Sequence, residues 1–157
     1  MAQCEVDRYR SGGPGGQKRN KTSSAIRLRH SPTGLAVVAN EDRSQHVNLI
    51  RAIRRLREAI ALEVRSVIDP EKYARSALLA SCVSHDGRLC LGRRDQRYYP
   101  AISEILDVLA ACGGRVSEVA RCLGVPTANL VKLIQSDPKL RQRVNQLRAA
   151  AGVKPLK

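Results

Sequence analysis

A glycine-rich stretch near the start of the chain limits what this part of the sequence can fold into. Between Ser11 and Gln17 stand four glycines and one proline. Glycine loses the most conformational entropy when it is fixed in a helix or strand, and proline fixes φ and removes an N–H donor. The stretch therefore predicts a loop. Three cations follow Gln17 within four residues, so we expect a tip poor in side chains that approaches a phosphate-rich partner.

The charge of the whole chain favours the same kind of partner. The 157 residues include 28 Lys and Arg against 14 Asp and Glu, a net charge of +14. The excess is spread evenly, because residues 1–65 and 66–157 each carry +7. Such a charge is typical of nucleic-acid-binding proteins, and a soluble basic domain without such a partner is the alternative. Both halves of the chain are therefore candidates for contact with the partner.

The cysteines favour a reducing compartment. Five cysteines form no CxxC pair, and an odd number disfavours a closed disulfide framework. Cys82, His85 and Cys90 could be zinc ligands, but they lack the close ligand pairs of zinc sites. We expect no metal and no cofactor. No apolar run of about 18 residues occurs, so we expect a cytoplasmic protein that does not contact a membrane, and a monomer.

The first half of the chain changes from strand-like to helical spacing. Alternating segments at 4–10, 25–30 and 35–39 predict three short strands, the last two joined by a Pro-Thr-Gly turn. Apolar residues from 41 to 68 recur every three or four positions and predict one long helix. Arginines on the open face of the second strand and on the helix are either solvated or in contact with phosphate, and we favour contact.

The second half of the chain is helical. We expect a short helix over 71–81, an irregular connection over 82–100, and helices from 101 onward. Residues 116–136 have the spacing of a helix-turn-helix, with Pro126 where a capping Ser or Thr is usual. The second helix of that unit would expose a possible docking surface of three polar residues, Asn129, Lys132 and Gln135. The alternatives for this unit are docking on RNA or the ribosome, a structural or protein-binding role, and sequence-specific binding of DNA.

The predicted architecture is α+β. A small antiparallel sheet with the glycine loop packs on one long helix, and a helical, helix-turn-helix-like domain follows. We expect a catalytic or binding domain at 1–68, a helix and linker at 69–100, and the helical domain at 101–157. The sequence contains no GxSxG elbow, and its three histidines lie in no recognisable nucleophile context. If the chain is an enzyme, the loop that ends in Gln17 is the candidate site.

Four short motifs together resemble the catalytic domain of class I peptide chain release factors. In order and spacing they are Gly15-Gly16-Gln17, Asn20-Lys21-Thr22, Pro32-Thr33-Gly34, and Arg43-Ser44-Gln45 with Asn48. A lone GGQ would be weak evidence, whereas four motifs in register over about 40 residues are strong evidence. The match covers residues 4–66.

This resemblance implies ribosome-dependent hydrolysis of the ester that joins a nascent peptide to tRNA, in the peptidyl-transferase centre of the large subunit. Gly15 and Gly16 would admit the backbone beside the tRNA end. The Gln17 N–H would stabilise developing charge, and its side chain would position the water. The residues expected to contact ribosomal RNA are Lys18, Arg19, Asn20, Lys21, Arg27, Arg29, Arg43, Ser44, Gln45, Arg51, Arg54 and Arg55.

One departure from release factors points to a codon-independent relative that rescues stalled ribosomes. A domain that reads the stop codon precedes the catalytic one in release factors, whereas about ten residues precede the loop here. Some rescue hydrolases end in a dense basic tail, but 147–157 hold only three cations, so we expect the helical domain to replace it. The alternatives are a non-catalytic ribosome- or RNA-binding factor that uses the loop for docking, and a DNA-binding regulator that uses 116–136.

Overall fold

The computed structural model describes residues 3–10 and 24–156. Over these residues the chain is α+β, as the sequence predicts, with three strands and six helices. The strands are β1 (Cys4–Tyr9), β2 (Ala25–His30) and β3 (Ala36–Ala39). The helices are α1 (Gln45–Glu63), α2 (Ala77–Ala80), α3 (Tyr98–Ala111), α4 (Val116–Leu123), α5 (Thr127–Ser136) and α6 (Pro138–Ala150).

Contacts group the chain into two compact units, Met1–Ile60 and Ala61–Lys157. The boundary between them falls near the end of α1. The three-part division at 68/69 and 100/101 stays a prediction.

The first unit is an antiparallel sheet, in the order β1-β2-β3, packed on α1. The alternation predicted for β2 is confirmed, because Ile26 and Leu28 are buried against Ala52 and Leu56 of the helix. The turn between β2 and β3 closes through two backbone bonds between His30 and the 34–35 segment, each of 2.8 Å. Gly34 takes a φ of +69°, in the left-handed region that favours glycine. One face of the sheet is therefore core, and the other is open.

Helix α1 is shorter than the 41–68 predicted from the apolar stripe. Arg143 ends it by donating from Nε to the Leu62 carbonyl at 2.7 Å, and Arg65 donates to the Ala61 carbonyl. These guanidinium groups satisfy carbonyls that have no partner within the helix. Arg65 is itself paired with the buried Asp107 at 2.9 Å. Val67, which the stripe assigned to the core, is fully exposed.

The second unit has an aliphatic core built from α2–α6. The helix predicted over 71–81 is regular only at Ala77–Ala80. Glu104 explains the difference, because it accepts bonds from the Tyr73 hydroxyl at 2.7 Å and from the Ser76 hydroxyl at 2.5 Å. These bonds hold the segment before α2 outside a regular helix. Residues 82–97 are mainly irregular, apart from a bridge between Val83 and Leu89.

The predicted helix-turn-helix is present as α4 and α5. Gly124 joins them with φ 59° and ψ 39°, a conformation that favours glycine, and its N–H bonds the Arg121 carbonyl at 3.1 Å. Pro126 occupies the N-cap position of α5 and has no side-chain oxygen to cap it, as the sequence indicates.

Asp137, between α5 and α6, is a buried polar centre of the second unit. Its carboxylate caps α6 by accepting from the Lys139 N–H at 3.1 Å, and it accepts from the Tyr98 hydroxyl at 2.9 Å. Arg93 lies 3.2 Å from the same carboxylate. The side chain is only 4% exposed. One carboxylate thus links α3, α6 and the segment before α3.

We predict that Asp137→Ala lowers the free energy of unfolding by about 3 kcal/mol, because a helix cap is lost and a buried hydroxyl loses its acceptor. Tyr98→Phe keeps the cap and should lower the free energy of unfolding by about 1 kcal/mol. Urea unfolding followed by circular dichroism measures both. Equal stability of Asp137→Ala and the wild type would contradict this role.

Candidate nucleic-acid interface

The predicted catalytic residues Gly15, Gly16 and Gln17 lie outside the described residues. So do four of the predicted RNA contacts, Lys18, Arg19, Asn20 and Lys21. The structure does describe both ends of this stretch. Tyr9, the last residue of β1, is the ladder partner of Ala25, the first residue of β2. The two ends of the stretch are therefore held on neighbouring strands.

Asn48 on α1 binds the chain just before β2. Its Nδ2 donates to the Ser24 carbonyl and to the Asp42 carbonyl, each at 2.7 Å, and its Oδ1 accepts from the Asp42 N–H at 3.0 Å. The residue has 0% exposure, so these bonds form away from water. Three backbone groups that α1 and the sheet leave unpaired are satisfied by one amide. This contact fixes the residue that precedes β2 to the helix.

The predicted contact residues 43–45 lie at the start of α1. Ser44 is the N-cap, because its hydroxyl accepts from the Val47 N–H at 3.4 Å and its carbonyl accepts from the Asn48 N–H at 3.1 Å. The Asp42 carboxylate accepts from the Ser44 N–H at 3.0 Å. Arg43 and Gln45 are exposed on either side of the cap. Ser44 thus has a structural role as the cap of α1.

The arginines predicted on α1 divide into two groups. Arg51 pairs with Asp42 at 3.4 Å, and Arg55 pairs with Glu41 at 2.6 Å and also donates to the Val38 carbonyl. The hydrogen bond from Arg55 lowers the pKa of Glu41. These two arginines join α1 to the segment that follows β3. Arg54 is exposed and forms no ion pair within the described part of the chain.

The open face of the sheet carries charges of both signs. Arg27 and Arg29 are exposed, as the alternation predicts, and their ladder partners on β1 are Asp7 and Glu5. Opposite charges on facing strands balance each other. A shallow depression on this face is lined by Asp7, Arg8, Tyr9, Arg27, Ala36 and Val38. Sequence reasoning missed the acids because their position opposite the arginines depends on the strand register.

The second predicted surface, on α5, is partly used within the protein. Asn129 accepts from the Leu89 N–H at 2.6 Å and donates to the Leu89 carbonyl at 3.4 Å. Its amide therefore binds the 83–89 segment. Lys132 and Gln135 are exposed. The contact with Leu89 joins residues 40 positions apart, and no local pattern in the sequence signals it.

The described residues contain no group of three or more His, Cys, Asp or Glu side chains placed to hold a metal. All five cysteines are free thiols. Burial raises the pKa of Cys112 to about 11, with a further contribution from the neighbouring Cys122. No helix in the described ranges is long and apolar enough to span a membrane.

Comparison with known proteins gives a family match over the first half of the chain. The model of the RF-1 domain matches residues 1–86. Peptide chain release factor 1 of Magnetococcus marinus is 32% identical over an alignment of 123 residues that covers 68% of this chain and 34% of the relative. Peptide chain release factor 1 of Caldicellulosiruptor bescii is 53% identical over 53 residues, or 34% of this chain and 15% of the relative. Peptide chain release factor 2 of Paramagnetospirillum magneticum is 52% identical over 56 residues, or 36% of this chain and 15% of the relative. The chain spans about a third or less of these relatives.

We predict that Asn48→Ala lowers the local stability of the first unit by about 3 kcal/mol, because it leaves buried backbone groups without partners. Faster hydrogen exchange in β2 and α1 would report this loss. The matched control is Asn40→Ala, which removes an exposed amide and should change exchange little. Equal exchange in the two variants would show that the Asn48 amide has no special role.

We also predict that native protein at pH 8 reacts with iodoacetamide at the exposed Cys90 well before it reacts at Cys112. The raised pKa leaves little Cys112 thiolate at that pH, and the thiolate is the nucleophile. Mass spectrometry of tryptic peptides measures the order, and urea-denatured protein, in which both thiols react, is the control. Early labelling of Cys112 would argue against its burial.

Proposed function

This chain belongs to the RF-1 domain family of class I peptide chain release factors, and from that premise we propose that it hydrolyses the peptidyl-tRNA ester on stalled ribosomes. The observation that carries the proposal is that β1 and β2, which flank the Gly15-Gly16-Gln17 motif in sequence, pair with each other within the segment that the family model matches. Tyr9 pairs with Ala25, and the Asn48 amide binds Ser24 next to it. The strands therefore fix the positions from which the chain leaves the sheet and to which it returns.

The chemistry proposed for the stretch needs few protein groups. The Gln17 N–H donates a hydrogen bond to the carbonyl oxygen of the ester, on which negative charge develops as water attacks. Gly16 leaves room for this backbone beside the tRNA end, because it has no Cβ. The Gln17 amide orients the water. The ribosome and the tRNA surround these groups and exclude bulk solvent.

Binding to ribosomal RNA is the second part of the proposal. Arg27, Arg29, Arg43 and Arg54 are exposed on the first unit and would contact phosphate, Arg27 and Arg29 from a face that also carries Asp7 and Glu5. Arg51 and Arg55 contribute to RNA binding indirectly, through the ion pairs that hold α1 to the segment after β3. The net charge of +14 favours association with RNA and makes it dependent on salt. We propose a cytoplasmic monomer that needs neither a metal nor a cofactor.

We further propose that release does not require a stop codon. This part of the proposal is finer than the family match and assigns the chain to the codon-independent, rescue-type members of the family. The three similar proteins are named peptide chain release factors 1 and 2, so release with and without a stop codon needs separate tests. A non-catalytic factor that uses the loop for docking would bind ribosomes and release nothing.

We predict that Gly16→Ala and Gln17→Pro lower single-turnover peptide release by about 10²–10³-fold, since the first blocks the close approach and the second removes the N–H donor. Release is measured on ribosomes stalled at the end of a truncated mRNA, and binding by co-sedimentation. Both variants should still bind. The control Gln142→Ala removes an exposed glutamine of α6 and should release peptide at the wild-type rate. Release by Gln17→Pro at that same rate would contradict the assigned chemistry.

A further inference from the structure

The second unit presents a cationic surface where three separate chain segments meet. The tip of the 83–89 segment lies against the turn of the helix-turn-helix, because a Cβ placed on Gly87 would be 3.8 Å from the Gly124 carbonyl oxygen. The base of the same segment is bonded to α5 through Leu89 and Asn129. Arg75 also lies at the turn, since a Cβ on Gly124 would be 3.8 Å from its Nη2.

Three cations on these segments are exposed and unpaired. Arg75 lies at the turn, Arg88 precedes Leu89, and Lys132 follows Asn129 by one helical turn. None of the three forms an ion pair with another described residue. Other arginines of the unit do, such as Arg121 with Glu118 and Arg97 with Asp95, each at 2.6 Å. Cations left without carboxylate partners are available to an anionic ligand.

The geometry points to RNA rather than duplex DNA as that ligand. A helix-turn-helix reads DNA by placing the first turns of its second helix in the major groove. Here the Asn129 amide on that helix is bonded to Leu89, and the 83–89 segment lies beside it. A polar side chain in the first turn of that helix is therefore bonded within the protein rather than presented to a groove. Its cations, spread over a loop, a turn and a helix, suit the irregular phosphate backbone of folded RNA.

We propose that Arg75, Arg88 and Lys132 form a second RNA-binding surface, separate from the first unit. We name it the hairpin–turn surface. The second unit carries 16 cations and 9 acids, a net charge of +7 equal to that of the first, so it contributes as much to attraction by RNA. The choice of ribosomal RNA as the ligand depends on the proposed function. The location of the surface does not.

The test compares two variants of equal charge in the full chain. R88A/K132A removes one arginine and one lysine from the hairpin–turn surface. R141A/K154A removes one of each from exposed positions on and after α6. Binding is measured to purified ribosomes and to protein-free RNA extracted from them, at several salt concentrations.

We expect R88A/K132A to bind both probes about tenfold more weakly and to reduce the slope of log K against log salt by about 2, as loss of two phosphate contacts predicts. The control should change both quantities much less. Asp86 lies at the tip of the same segment, so Asp86→Asn should strengthen binding and steepen the slope. Equal effects of the two double variants would overturn the proposal.

Other outcomes distinguish RNA binding at this surface from protein binding there and from the proposed peptide release. If R88A/K132A binds ribosomes more weakly but protein-free RNA as well as the wild type does, the surface binds an acidic protein of the ribosome. This result would overturn the RNA proposal. If the wild type binds RNA through this surface but releases no peptide, the proposed function fails and the surface stands. If the wild type releases peptide and the two double variants bind alike, the function stands and the surface fails.

Discussion

The bonds of the Asn48 side chain are the constraint on which the first unit depends. One buried amide satisfies the Ser24 carbonyl and both backbone groups of Asp42. These groups belong to the two segments that enter β2 and α1, and neither could be buried without a partner. Because Ser24 is the residue that enters β2, the same bonds that stabilise the unit also fix the point at which the chain returns to the sheet after the proposed catalytic residues.

The arginines illustrate how a strongly basic chain divides its cations between structure and binding. Arg65 and Arg143 bond the last carbonyls of α1, and Arg51 and Arg55 join the same helix to the segment after β3. Arg148 similarly binds the Gly114 and Lys154 carbonyls. Guanidinium groups suit these roles because their donors are fixed in a plane and stay charged. Cations with no such partner, including Arg54 and Arg88, mark the surfaces where an external phosphate is expected.

Local patterns in the sequence predicted the regular elements well and the polar contacts poorly. The alternation of Ile26 and Leu28 predicted the core face of β2, because a strand with one buried face has a period of two. The glycine at 124 predicted the turn between α4 and α5. The prediction that the helix continues to Val67 was wrong, because Arg65 and Arg143 bond the last carbonyls of α1. The contact from Arg143 is tertiary, so no local pattern in the sequence signals it. The structural roles of Ser44, Arg55 and Asn129 depend on partners that only the fold brings close. The Asn48 motif was recognised through a resemblance, and its physical reason became visible only in the structure.

The most direct test of the central claim is single-turnover release of peptide from ribosomes carrying peptidyl-tRNA, with the wild-type chain at saturating concentration. Three ribosome substrates are compared, with a truncated mRNA, a stop codon or a sense codon at the decoding site. Rapid release on the truncated mRNA, with no preference for the stop codon over the sense codon, is the result that our account predicts. Release that requires the stop codon, or no release on any of the three, would contradict it.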